Sequence, residues 1–226
     1  EVHPERLAVD VTPKPGGGYR VRTVRPGAWL RKRQKTFTAD QVVFSAGVLG
    51  TLKLLLKLKE EQRLPNLSDR LGHVVRTNSE AILVAVANDT EVDYSQGVAI
   101  TSSIHVDDQT HIEPVRYPPG SNAMGTLTTI LVDGGGRVPR QVRFAYQVLR
   151  HPAAFLRSMS VRRWSQRGVI LLVMQTLDNS LRVFRKGNVL WTAQGHGEPN
   201  PTYIPVANEA ARVTAEIVGG EPRGAW

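Results

Sequence analysis

Apolar and polar residues alternate from Leu7 to Val11 and again from Tyr19 to Val24, with Pro13, Pro15 and Gly16 to Gly18 between the two runs. A period of two sends successive side chains to opposite faces of a strand, and the Pro/Gly cluster breaks it, so the pair predicts an antiparallel hairpin. A basic segment, Arg31 to Lys35, follows, and Thr38 to Asp40 leads into Gln41-Val42-Val43-Phe44-Ser45-Ala46. That short apolar run predicts a strand buried on both faces. Leu52, Leu54, Leu55, Leu56 and Leu58, with lysines between them, predict a helix from Gly50 to Glu61 with a broad apolar face. Gly47 to Gly50 then reads as a strand-to-helix turn.

Pro65 ends the helical pattern, and Leu64 to Asp69 is rich in turn formers, which places a boundary near this segment. Further on, Ala81 to Ala87, Ile100, His105 to Val106, Ile112 to Val115 and Leu127 to Val132 predict short strands of a mixed or antiparallel sheet. Val142 to Trp164 reads as a basic amphipathic helical region interrupted at Pro152. Its arginines suit either a helix packed on its own sheet or one resting on a membrane surface. Val169 to Thr176, Leu181 to Arg185 and Asn188 to Thr192 predict a strand meander. An alanine-rich helix is expected from Val206 to Val218, after which Pro222 to Trp226 is expected to hang free. The pattern as a whole is α/β.

A length of 226 residues with 41% hydrophobic content is enough to bury a core. No run approaches the roughly 18 apolar residues needed to cross a bilayer, and no targeting peptide is visible, which predicts a soluble protein. With no cysteine, disulfides and thiolate metal sites are excluded, and the compartment stays open between cytoplasm and export. The net charge of +9 would attract polyanions in dilute salt, but no nucleic-acid-binding signature accompanies it, so nucleic acid is not expected as a partner.

The sequence has no GxGxxG loop, no GxxxxGK[ST] loop, no GxSxG elbow and no HExxH helix, which disfavours a self-contained nucleotide enzyme. Gly195-His196-Gly197 continues as Glu198-Pro199-Asn200 and reads as a surface turn. His111-Ile112-Glu113 has the H-x-E spacing of zinc deaminases but lacks their cysteine ligands, and the six histidines show no paired spacing, so no metal site is expected.

One set of motifs is more specific. Ala46-Gly47-Val48-Leu49-Gly50-Thr51, then Leu54-Leu55, then Leu64-Pro65-Asn66-Leu67, resembles in order and spacing the A-G-x-L-G-[ST]-x-x-L-L…L-P-N-L segment of cholesterol oxidases, within the glucose-methanol-choline family of FAD-dependent oxidoreductases. The resemblance implies that residues 1–80 are the distal part of an FAD-binding domain. Residues 81–205 would be a substrate domain with a mixed sheet covered by helices, and 206–226 a helix leading back. It implies cofactor contacts at Ala46, Gly47 and Gly50, where missing side chains let main chain approach FAD. Ala8 matches a backbone contact to the adenine, and Asn78 a stretch running close to the flavin.

The resemblance also makes Glu113 the catalytic candidate, within His111-Ile112-Glu113-Pro114-Val115-Arg116-Tyr117-Pro118-Pro119-Gly120. Oxidising a sterol hydroxyl and shifting the steroid double bond requires a group that carries a proton between two carbons, and a carboxylate in an apolar pocket can do so. The plainer reading makes Glu113 a strand residue partnered by Arg116. The family's phosphate-binding glycine motif and its H-P-L-G-G segment have no counterpart here, and His151-Pro152 is followed by Ala153-Ala154-Phe155 instead. The chain is therefore expected to be an internal fragment that binds FAD poorly and is inactive alone. Its substrate would be a sterol or similar apolar alcohol, with peripheral membrane contact possible. The alternative is a non-catalytic lipid- or sterol-binding module with a basic membrane-facing surface.

Overall fold

The structure, a computed structural model, describes residues 1–30 and 32–225. Arg31, the head of the basic segment, and Trp226, the end of the expected free tail, lie outside the described residues. Helices and antiparallel sheets build a mixed α/β architecture, and the chain divides into two compact units. One comprises Glu1–Thr77 with Asn179–Pro199, the other Asn78–Asp178 with Asn200–Trp226. The units are thus not consecutive stretches of chain.

In the first unit the alternating runs form the expected hairpin, β1 (Leu7–Pro13) against β2 (Tyr19–Val24), with Val11 opposite Val21. The third strand of this sheet is β3 (Lys35–Ala39), which pairs with β2, not the apolar run at 41–46. Residues 41–46 form no strand, and Val43 is 84% exposed. A strand apolar on both sides needs a ladder beside it, and the described residues supply none. Helix α1 (Val48–Glu60) follows, starting two residues earlier than the pattern predicts, so Gly50 lies inside its first turn rather than in a strand-to-helix turn.

Leu58 of α1 is fully buried, and α1 packs against β1, β9 (Leu181–Lys186) and β10 (Val189–Gln194). The β9–β10 hairpin is held to the earlier chain by main-chain bonds. Val75 and Leu181 exchange N–H···O bonds of 2.9 and 2.7 Å, and Val183 N–H donates to the Gly72 carbonyl at 2.7 Å. Gly72 has φ +81°, and a Cβ there would stand 2.1 Å from the Val183 oxygen, so only glycine fits. Arg185 Nε donates to Glu60 Oε2 at 2.9 Å, and Lys57 Nζ to the Val9 carbonyl at 3.1 Å.

The second unit is built on a six-stranded sheet. Its strands are β4 (Ser79–Ala87), β5 (Ile104–His105), β6 (Thr110–Val115), β7 (Thr128–Ile130), β8 (Gly168–Gln175) and β11 (Gly220–Ala225), in the order β5-β6-β8-β4-β11-β7. Every ladder is antiparallel. Two expectations change here. The predicted meander does not form, because β8 pairs with β4 and β6 while β9 and β10 belong to the other unit. The tail is not free, because residues up to Ala225 form β11 between β4 and β7. Pro222, which cannot donate to a ladder, sits opposite Ala85 just before the β7 pairing begins at Arg223.

One sheet face is covered by α5 (Pro205–Ile217). Ala207, Ala211 and Ala215 recur every four residues on its buried side, and Ala207 and Ala211 pack with Leu83, Ile112, Leu171 and Val173. On the opposite face, Trp164 is buried with Val84, Val86 and Ile170. Its ring lies against Gly125, where a Cβ would come within 2.8 Å. The basic region divides into α2 (Arg140–Arg150), α3 (Pro152–Ser158) and α4 (Trp164–Arg167), with Pro152 in the first turn of α3, where a missing N–H costs nothing.

Candidate functional site

The residues singled out in the sequence divide between the two units. In the first, Ala8 lies in β1 opposite Thr23, beside an irregularity of the ladder between Ala8 and Asp10. Such an irregularity frees main-chain groups from strand pairing. Ala46, Gly47 and Gly50 form an exposed, side-chain-poor rim around the start of α1. A Cβ at Gly47 or Gly50 would meet nothing within 4 Å, so main chain there is open to a flat group. A groove of about 520 Å³ runs between Val11, Tyr19, Val42, Phe44, Pro65 and Leu67 in the same unit.

In the second unit, Glu113 stands on β6 directly opposite Leu172 of β8, and Leu172 is opposite Ile82 of β4. Residues opposite one another share a face, so Glu113, Leu172 and Ile82 form a row across three strands. The rows on either side are His111–Met174–Glu80 and Val115–Ile170–Val84. The last is capped by the Trp164 cluster, whereas Glu113 and Leu172 are half-buried and Ile82 is exposed. The Glu113 carboxylate therefore sits on a partly open sheet face, with Leu172 and Ile82 in its own row and His111 and Glu80 in the next. Arg116, considered as its partner, instead donates to the Gln96 carbonyl.

Asn78 precedes β4 and donates from Nδ2 to Glu80 Oε2 at 2.9 Å. With strands about 4.8 Å apart and about 3.4 Å of rise per residue, two strands and four residues put its Cα roughly 17 Å from that of Glu113. The structure does not bring these two together. His105 and His111 stack at 5.6 Å, but no group of three or more His, Asp or Glu suited to a metal ion occurs among the described residues. Nor is any helix among them long and apolar enough to cross a membrane.

Two clusters escaped the sequence reading. Asp133, in the Asp-Gly-Gly-Gly turn, accepts hydrogen bonds from Arg212 Nη2 at 2.7 Å, Asn208 Nδ2 at 2.7 Å and Tyr203 Oη at 3.1 Å. The Arg212 bond, foremost, holds the Asp133 carboxyl below the usual carboxylate range. Burial, and then the charge of Asp133, raise the Tyr203 phenol. Donors seventy or more positions away leave no local motif. The second cluster gathers Arg162, Arg163 and Arg167 around the end of β4. These arginines are visible in the sequence, but their convergence on residues 88–90 is not.

No protein-family model matches the chain. Over an alignment of 221 positions that takes in 93% of the chain, it is 48% identical to proteins named cholesterol oxidase in two strains of Mycobacterium tuberculosis. Over an alignment of 231 positions that takes in 98% of the chain, it is 38% identical to a cholesterol oxidase of Acinetobacter baumannii. The chain spans 38% and 42% of the lengths of these relatives.

Proposed function

We propose that this chain is a segment of an FAD-dependent sterol oxidoreductase of the glucose-methanol-choline type, and that the segment is inactive alone. The observation carrying this reading is similarity to proteins named cholesterol oxidase along nearly the whole chain. Residues 41–46 add support, being apolar yet unpaired and largely exposed, as a strand would be whose ladder partners lie elsewhere in a parent protein.

FAD would be held in part by the exposed main chain at Ala46, Gly47 and Gly50 and by the irregular ladder beside Ala8. Bound there, it would supply the acceptor for a hydride from the substrate carbon. The chain's own contribution lies in binding and proton transfer. Leu172 and Ile82 would offer apolar contact to a sterol or similar alcohol, and the Glu113 carboxylate beside them would take a proton from one ring carbon and return it to another as the double bond shifts.

Peripheral membrane contact belongs to the same reading. Tyr146, Leu149, Leu156 and Met159 of the α2–α3 region are exposed among arginines, a pattern suited to an anionic interface. No separate observation speaks for a non-catalytic lipid-binding module.

The test is Glu113→Gln in a full-length parent. Isomerisation should fall by roughly 10²–10⁴-fold, the usual contribution of a positioned acid-base group, with alcohol oxidation less affected. Unchanged isomerisation removes Glu113 from the mechanism. Failure of the intact parent to bind flavin or oxidise any sterol removes the reading altogether.

A further inference from the structure

Between Gly134 and Leu177 the sequence contains eight arginines and no aspartate or glutamate. Three of them, Arg162, Arg163 and Arg167, converge in the second unit on a depression of about 270 Å³ whose other walls are Asn88, Asp89 and Thr90. Arg167 is fixed by its Nε, which donates to the Ala87 carbonyl at 2.6 Å and so directs the guanidinium to the end of β4. Arg163 reaches Thr90 Oγ1 from Nη1 at 3.4 Å. Asp89 is the one carboxylate in the lining, and its Oδ1 accepts the Glu91 N–H at 3.2 Å.

The backbone adds an independent observation. Arg163 has φ +48° and ψ 34°, the left-handed region, which disfavours a residue with a side chain. A glycine would relax this position, yet the residue is an arginine aimed into the depression. Three like charges gathered in one depression also repel, a cost that an anion of suitable shape reverses. Guanidinium forks match the oxygens of a tetrahedral oxyanion in pairs, and the Thr90 hydroxyl and Asn88 amide offer further neutral donors.

We propose that this depression is a phosphate-binding site, in which Arg162, Arg163 and Arg167 clasp a phosphate group at the end of β4. The group is either a free phosphate or the headgroup of an acidic phospholipid. The site is independent of the sterol reading, because it uses neither Glu113 nor the flavin-contact residues.

The experiment titrates inorganic phosphate into the whole chain at constant ionic strength, followed by calorimetry. Saturable binding is expected, weakened about tenfold or more by Arg162→Gln, the loss of one charge-assisted contact. Arg163→Gly should weaken binding similarly while keeping or raising the melting temperature without phosphate, since glycine relieves the left-handed strain. That separates lost binding from failed folding. Arg137→Gln removes the same charge outside the depression and should leave affinity unchanged.

Absence of saturable binding overturns the proposal, as does an Arg137→Gln effect equal to that of Arg162→Gln, which would indicate diffuse charge attraction. Sedimentation with phosphatidylcholine vesicles, with and without phosphatidic acid, separates the sources. Binding that needs phosphatidic acid and Arg162 identifies a lipid headgroup, whereas saturable inorganic phosphate without vesicle binding identifies a soluble one.

Discussion

The return of the β9–β10 hairpin to the first unit rests on a close main-chain approach at Gly72, and Gly72→Ala tests it. A methyl there would lie 2.1 Å from the Val183 carbonyl oxygen, against more than 3 Å for ordinary contact, so the two strands must part by about 1 Å. That shift breaks the 2.7 Å bond from Val183 N–H to the Gly72 carbonyl and strains the Val75–Leu181 pair beside it. The left-handed conformation costs a side-chain-bearing residue roughly 1–2 kcal/mol, and each hydrogen bond lost costs about 1 kcal/mol. The sum is about 3 kcal/mol, which in a unit of about a hundred residues lowers the melting temperature on the order of 15 °C. Gly16→Ala is the matched control, because Gly16 has nearly the same φ, +85°, with nothing within 4 Å of its Cβ position. It should cost only the conformational part, about 1 kcal/mol. Urea denaturation of both variants, followed by circular dichroism, gives the two values. Equal losses would mean that the hairpin does not press against Gly72, and the composition of the first unit would have to be redrawn.

Three further outcomes are expected. Leu58→Ala, at a fully buried position, should cost about 3 kcal/mol in urea denaturation, whereas Leu49→Ala, 69% exposed on the same helix, should stay within about 0.5 kcal/mol. Asp133→Asn should destabilise the second unit by about 1 kcal/mol at neutral pH, an allowance for a carboxylate that is half exposed. Because the folded Asp133 carboxyl titrates below its unfolded value, its stabilisation is present above about pH 4 and is lost as pH falls through the lowered value, so wild type and Asp133→Asn should converge in acid. Denaturation curves at neutral and strongly acid pH check this, and an unchanged gap would mean that the Arg212 bond does not act on the ionised form.

Local periodicity carried much of the architecture. The β1–β2 hairpin, α1, β4, β8 and α5 are all legible from alternation, leucine spacing or alanine content, because each pattern is set by the backbone period of its own element. The break at Pro152 was equally legible, since a missing N–H acts wherever the chain goes. Apolar content by itself misled at residues 41–46, where it signals a buried strand but cannot create the neighbour such a strand needs. Glu113 could be named from a motif, yet the row it shares with Leu172 and Ile82 depends on the registers of three strands.

By itself, then, the sequence determined which short segments bend, alternate or coil, and it carried the motif likeness through which function is argued. Tertiary structure alone decided who pairs with whom. It seated β11 between β4 and β7 despite glycines and a proline that argue against a strand, and it returned β9 and β10 to a unit begun more than a hundred residues earlier. It also gathered donors around Asp133 and arginines around the end of β4. The physical reason is common to all four. A local pattern fixes the faces of an element, whereas partner choice is settled by the burial and hydrogen bonding of groups far apart in the chain, which no local window contains.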